Sequence, residues 1–377
     1  MSVPRNLLLA TYRPLYESIA RPLIFRGSAM QSHKDALAIM RGMDGNTVAL
    51  ATLRAMHRIA FVQQPVEVGG VSLPFPFILA AGWVKGDGFD SEADALEAAQ
   101  NRNIIPGWRA MPALVGPVEF GSFTRWPRLG NAGTVLWRDA TTRSTQNRIG
   151  LKNPGAESAA EFLAVHRHDL PTVYGINIAV TPGVSDPGQQ LQEVLEAVDA
   201  FIRRGVLPAW LTLNLSCPNT EDDPTGNQSE ELALMLTGAF IKGLNDSGHK
   251  TPLWVKVGPT LSEAQVRALM RAFAETGVRA VIATNTLPEP TPDDPTIAAG
   301  VAGGRLHNRA VEIACWAAQE KERHGYLVDV IGCGGVEHSV SYQDFARYGA
   351  DAVQYLSALV FRGPLAAALI QKEALHG

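Results

Sequence analysis

Apolar residues along this chain fall into short strand-like runs that close on Gly, Asn, Ser, Thr or Cys, most of them followed by a longer stretch with helical spacing. Eight runs have this form: 75–82 (FPFILAAG), 117–122 (PVEFGS), 173–180 (VYGINIAV), 210–217 (WLTLNLSC), 253–259 (LWVKVGP), 280–286 (AVIATNT), 328–335 (VDVIGCGG) and 352–357 (AVQYLS). Helical spacing marks 155–168, 189–204, 230–243, 261–276 and 308–323; in the second of these, Leu191, Val194, Leu195, Val198 and Ile202 form an apolar stripe. Strands that alternate with helices and are apolar on both faces predict a parallel sheet covered on both sides. Eight such units predict a closed (β/α)8 TIM barrel of the α/β class, with an open doubly wound sheet as the alternative.

The barrel is expected over residues 66–377, preceded by an N-terminal helical extension over 1–65 that Pro14 and Pro22 should break into short helices. Two connections, 218–230 and 287–304, are too long for turns and rich in Pro, Gly and acids, the composition of lids. At 377 residues the chain exceeds a simple barrel of roughly 250 by enough to hold such additions.

Composition narrows the setting. Hydrophobic residues make up 46% and charged residues 19%, a globular balance. Cys217, Cys315 and Cys333 are too few and too scattered for a disulfide framework or a metal site, which points to a reducing, cytoplasmic compartment. No apolar run reaches the roughly 18 residues that span a bilayer, and no signal-peptide pattern opens the chain. Residues 1–60 carry eight Lys/Arg against three acids, so a +5 arm precedes a remainder of −9. Interleaved Leu7, Leu8, Leu9, Tyr12, Leu15, Ile19 and Leu23 make residues 1–42 suited to an anionic lipid surface rather than to nucleic acid. Packing as a plain helical cap is the competing reading.

Chemistry in a barrel belongs at the carboxyl ends of the strands, where this chain places its unusual polar residues. Gly334-Gly335 after the seventh run and Ser357 after the eighth stand where barrels hold a phosphate on bare backbone N–H groups. Lys256, inside an apolar run, needs a partner of negative character; a reduced flavin is one. Asn147, Asn214, Asn219 and Asn285 suit a planar ligand edged with amides and carbonyls. Cys217 beside such a ligand can act as a general base through its thiolate.

The ordered motifs LAAGWVKGDG, VEFGSFT, NRIGLKNPG, YGINIAV, NLSCPNT, VKVGPTLSE, ATNT, GVAGGR, VIGCGG and VQYLSALVFRGP, over roughly residues 65–365, resemble the dihydroorotate dehydrogenase family. Its members are FMN enzymes of pyrimidine synthesis built on an eightfold barrel. The resemblance implies that Ala81, Gly82, Ser122, Asn177, Asn214, Lys256, Thr284, Gly303, Gly334, Gly335 and Ser357 line FMN. It implies that Lys85, Asn147, Arg148, Gly150, Leu151, Asn214, Asn219, Asn285 and Thr286 hold dihydroorotate or the product orotate, and that Cys217 is the base. The family's membrane-associated branch has an N-terminal helical extension similar to residues 7–42, including His33, passes electrons to quinone and uses serine as base. Its soluble branch uses cysteine and lacks the extension, so this chain mixes the two. Two positions depart from the pattern: Val135 stands in TVLWR where the family has a quinone-binding arginine, and INIAVTPG lacks the usual GKN. Quinone is the electron acceptor this reading favours, with the arm resting on the cytoplasmic face of the inner membrane. A related flavin enzyme acting on another dihydropyrimidine and a non-redox phosphate-binding lyase are the alternatives.

Overall fold

Each of the eight runs forms a strand in the computed structural model, which describes residues 3–215 and 229–375. They are β1 (Phe77–Leu79), β2 (Val118–Phe123), β3 (Tyr174–Ala179), β4 (Trp210–Asn214), β5 (Leu253–Val257), β6 (Ala280–Ala283), β7 (Asp329–Cys333) and β8 (Ala352–Tyr355). Each pairs in parallel with its sequence neighbours and β8 closes on β1, so the sheet is a barrel and not an open doubly wound sheet. Most strands are shorter than their runs, yet the residues beyond β6 stay tied to its neighbours: the Thr284 N–H donates to Cys333 O (2.7 Å) of β7 and that of Asn285 to Val257 O (2.8 Å) of β5. Several helices between the strands start on side-chain caps, such as the reciprocal Ser262/Gln265 box that opens Glu263–Thr276.

Alternation along the strands separates two cores. Leu211, Leu213, Val255 and Val281 face outward and join one large cluster with the surrounding helices. Inside the barrel, Trp210 and Trp254 stack with centroids 4.5 Å apart, above an antiparallel hairpin (Val66–Val68 with Val71–Leu73) whose Val68, Val71 and Leu73 share their cluster. Gly175 makes room for this stack: a Cβ there would lie 2.1 Å from the Trp210 ring. The interior then turns polar, with Glu119, Asn177, Thr212, Lys256 and Gln354 all buried. The expectation of strands apolar on both faces is therefore corrected. Only the outward faces need be greasy, because inward side chains can satisfy one another across the barrel.

Two further expectations change. Residues 287–304 do not form an irregular lid: Leu287–Pro290 and Ala298–Gly303 pair with Ser144–Asn147 and Leu136–Asp139 in a four-stranded antiparallel sheet. Pro288 and Pro290 sit on its edge strand, where a missing N–H is tolerated, and Pro292 and Pro295 lie in the turn between the two strands. Residues 218–228 of the other connection lie outside the described residues. Pro14 and Pro22 do not break the extension either. The chain stays helical through α1 (Val3–Pro14), a π-helical turn (Leu15–Ala20) and α2 (Arg21–Ile24), then forms α3 (Ala29–Asp44) and α4 (Thr47–Ala60). Pro14 precedes the switch to π-type bonding and Pro22 lies in the first turn of α2, where its absent N–H is not needed.

The extension shares the barrel's outer core through Leu9, Leu50, Leu53, Ala60 and Phe61. Its charge is partly spent inside: buried Arg5 donates to Ala60 O (2.8 Å) and Gln371 Oε1 (3.3 Å). The seam is held by Arg362, also buried, which donates to Glu17 Oε1 (2.9 Å) on the π-helical turn, Glu373 Oε1 (2.5 Å) and Glu337 O (3.0 Å). Burial by itself would raise the Glu17 carboxyl, but the bond and charge of Arg362, with Arg13, bring it net below its ordinary range. Glu337 is the opposite case: burial pushes it up to about 8 against the pull of Arg143 and Arg362, and neither of its carboxyl oxygens has a hydrogen-bond partner.

Arg362→Met removes the buried cation shared by Glu17 and Glu373 and leaves them only the more exposed Arg13, so we expect a loss of about 3 kcal/mol in urea unfolding, the usual scale for breaking a buried pair. Glu337→Gln should act with the reverse sign and in a defined window. A folded-state value raised above the unfolded one favours folding fully only at low pH, and that contribution is lost as pH rises toward about 8. Thermal melts should therefore show the variant gaining on the parent from pH 5 to 9, with little difference at pH 4; a constant offset across that range contradicts this assignment.

Candidate active site

A cavity of about 590 Å³ opens at the carboxyl ends of the strands and continues between α3 and the strand Leu136–Asp139. Its wall includes Ala81, Gly82 and Lys85 after β1, Ser122 of β2, Asn214 of β4, Lys256 of β5, and Thr284, Asn285 and Thr286 after β6. Asn147, Gly150, Leu151 and Gly303 line it from the antiparallel sheet and its loops, and Gly334, Gly335 and Ser357 complete it after β7 and β8. Residues spread over most of the sequence thus meet at one site. Asn177 and Arg148 are not on that wall: Asn177 lies inside the barrel with its Nδ2 bonded to Glu119 Oε1 (2.8 Å), and Arg148 donates to Ala132 O (3.1 Å). Cys217 and Asn219 lie outside the described residues.

The carboxamides at the mouth are mutually oriented. Asn285 Nδ2 donates to Asn214 Oδ1 (3.3 Å), and Asn214 Nδ2 donates to Ser122 Oγ (3.4 Å). The peptide bonds Gly121–Ser122 and Ala283–Thr284, both next to this cluster, are cis. Lys256 is buried and donates to Gln354 Oε1 (3.2 Å) and Cys333 Sγ (3.5 Å), so the negative-character partner expected for it includes groups of the chain itself. Burial raises the Cys333 thiol, with Lys256 opposing. Beside them, Gly303 and Gly335 approach closely: a Cβ on Gly335 would lie 2.7 Å from Gly303 O, and one on Gly303 would lie 2.3 Å from Arg143 O. Glycine is required at both positions by the chain's own close packing, and both residues line the cavity. Leu151 takes φ +53°, a left-handed conformation costing roughly 1 kcal/mol or more. Asn153 Nδ2, donating to Leu151 O (2.7 Å), and Asn131 Nδ2, donating to Arg148 O (2.8 Å), hold that loop in place.

Toward the extension the wall becomes apolar, with Leu23, Ile24, Phe25, Ile39, Met40 and Trp83. His33 packs edge-on to Trp83 (5.4 Å between centroids), and burial first, then Lys85 and Lys152, lower it to about 4, so its ring is neutral near pH 7. The guanidinium facing this recess belongs to Arg138, held by Gly27 O (2.5 Å) and the Phe25 ring (4.2 Å), whereas Val135 is absent from the wall. The departure at Val135 therefore removes no charge from this cavity. Sequence reading missed Arg138, Glu119 and Gln354. A charged residue inside the apolar run PVEFGS was the available signal for Glu119, the same signal that marked Lys256.

The family model for dihydroorotate dehydrogenase matches residues 65–376. The dihydroorotate dehydrogenase (quinone) of Thermobifida fusca is 30% identical over 93% of this chain and 89% of its own length. That of Sphingopyxis alaskensis is 28% identical over 97% and 92%. Among solved structures, DHODH from Eimeria tenella in complex with ferulenol shares the fold with a TM-score of 0.69, at 21% identity over 88% of this chain and 91% of that one. On the family match, which spans the barrel and the groups at its mouth, the chain belongs to the dihydroorotate dehydrogenase family.

Proposed function

We propose that this protein oxidises dihydroorotate to orotate with bound FMN and passes the electrons to a quinone. The observation that carries this reading is the continuity of one cavity from a polar barrel mouth to an apolar recess under the extension. A polar planar substrate and a greasy acceptor fit its opposite ends. The fit of FMN rests on Gly303, Gly334 and Gly335, which bring backbone without side chains to the cavity wall, and on Lys256, a cation on the same wall. Ala81, Gly82, Ser122, Asn214, Lys256, Thr284, Gly303, Gly334, Gly335 and Ser357, all on the wall, would hold it, while Asn177 lies behind them in the barrel interior. When bound, FMN supplies the acceptor for the hydride leaving carbon 6 of the substrate.

The chain's own residues then have separate tasks. Lys85 would pair the substrate carboxylate, a group that uracil-like dihydropyrimidines lack. Asn147, Asn214, Asn219, Asn285 and Thr286 would satisfy its ring amides and carbonyls, with Gly150 and Leu151 shaping the rim. Cys217, three residues beyond Asn214 in the sequence, would take the proton from carbon 5. The neutral His33 and the apolar side chains of the recess would pack on a quinone ring, with the Arg138 guanidinium on the same wall as a donor for a quinone carbonyl. Among the described residues no helix is long and apolar enough to cross a membrane. Exposed Val3, Leu7, Leu15, Ile19 and Leu23 instead supply an apolar outer face on the first helical stretch, which supports peripheral contact of residues 1–42 with the cytoplasmic face of the inner membrane.

Anaerobic dihydroorotate should bleach the yellow protein, and Cys217→Ala should keep its FMN while slowing that bleaching at least about 100-fold, the scale of a lost general base. Reduction at the parent rate removes Cys217 from the mechanism. Steady-state turnover with a quinone analogue, fumarate and NAD offered separately should be fastest with the quinone; turnover with fumarate alone would make the extension a structural cap.

A further inference from the structure

Glu119 carries a carboxyl group into the barrel interior, and its residue is wholly buried. Every polar neighbour recorded for it donates. Oε1 accepts from Asn177 Nδ2 (2.8 Å); Oε2 accepts from Trp210 Nε1 (3.0 Å), Thr212 Oγ1 (2.7 Å) and Gln354 Nε2 (3.1 Å). Four donors from β3, β4 and β8 fix both oxygens, so the group has no freedom to swing toward the cavity. An isolated buried charge is strongly unfavourable, and the interior supplies a single bridge to an opposite one. Gln354 donates its amide to Glu119 and offers its oxygen to Lys256 Nζ at 3.2 Å. Gln354 and Lys256 line the cavity, while Glu119 stands one layer behind them. The amide is polarised by the carboxylate on one side, which strengthens its oxygen as acceptor on the other. The same carboxylate adds to the raising of the Cys333 thiol, so its field reaches the other ligand of Lys256.

We propose that Glu119 is a positioning residue for the redox site: through Gln354 it holds the Lys256 ammonium in the cavity floor and offsets part of its positive charge, thereby setting how readily the bound cofactor accepts electrons. This rests on the flavin reading given above. The direction follows from electrostatics: a cation beside the cofactor favours its electron-rich, reduced form, so weakening the compensation behind Lys256 favours reduction further.

The test equilibrates full-length, FMN-loaded protein with a reference dye of known potential and reads the ratio of reduced to oxidised flavin from the two spectra. Glu119→Gln should shift that ratio about tenfold toward the reduced form, which is about 30 mV for a two-electron couple. A folded variant within twofold of the parent overturns the proposal, because a merely structural role would lower the melting temperature and leave the potential alone. Should Glu119→Gln not fold, Gln354→Met keeps the carboxylate and its three other donors while cutting the bridge. The same upward shift is expected there, and an unchanged ratio is again fatal to the proposal. A parent protein that takes up no FMN would overturn the flavin reading itself, so the two failures are told apart before any variant is made.

Discussion

Side chains pointing into an eight-strand barrel meet only one another, and that confinement governs the rest of this molecule. At the amino end, stacked indoles and a β-hairpin fill the bore completely. The cavity of about 590 Å³ opens at the other end, where the strands finish on small and polar residues. Between plug and mouth lies the polar layer of Glu119, Asn177, Thr212, Lys256 and Gln354, in which each donor has to find its acceptor without help from water. Outside the bore the rules relax to ordinary packing, and leucine and valine dominate.

This division explains which features were legible in the sequence. The eight strands could be read because their outward faces and turn residues follow simple patterns, and residues as far apart as Gly82 and Ser357 were assignable because strand ends converge by construction. Features that depend on partners were not legible. Nothing local in LPEPTPDDPTIAAGVAGG reveals that its two halves pair with each other and the second half with residues 144–147, since strand pairing is a long-range event and edge prolines look like loop prolines. Pro14 and Pro22 misled for a related reason, because a π-helical turn accommodates a missing N–H that a regular helix would not. Glu119 was passed over while Lys256 was noticed, although both sit in apolar strands; recognising one of them should have prompted a search for its counter-charge.

Charge counting along the extension was equally incomplete. A +5 balance reads as a basic surface, yet Arg5 serves as an internal strut, while Arg21 donates to Phe361 O and Arg41 pairs with Asp87. Net charge describes the field at a distance, while the fate of each guanidinium depends on which carbonyl or carboxylate the fold brings near it.

Because the extension forms one side of the cavity instead of resting on a finished barrel, the molecule has a wall that can be rebuilt without disturbing its floor. Tyr16, Phe25 and His33 face the recess from segments that contribute nothing to the strand ladder, whereas the groups at the mouth are locked into it. Sequence drift in the outer helices is thereby free to remodel the entrance for a differently shaped electron carrier, while the inner polar layer keeps the conserved demands of ring chemistry separate from that choice.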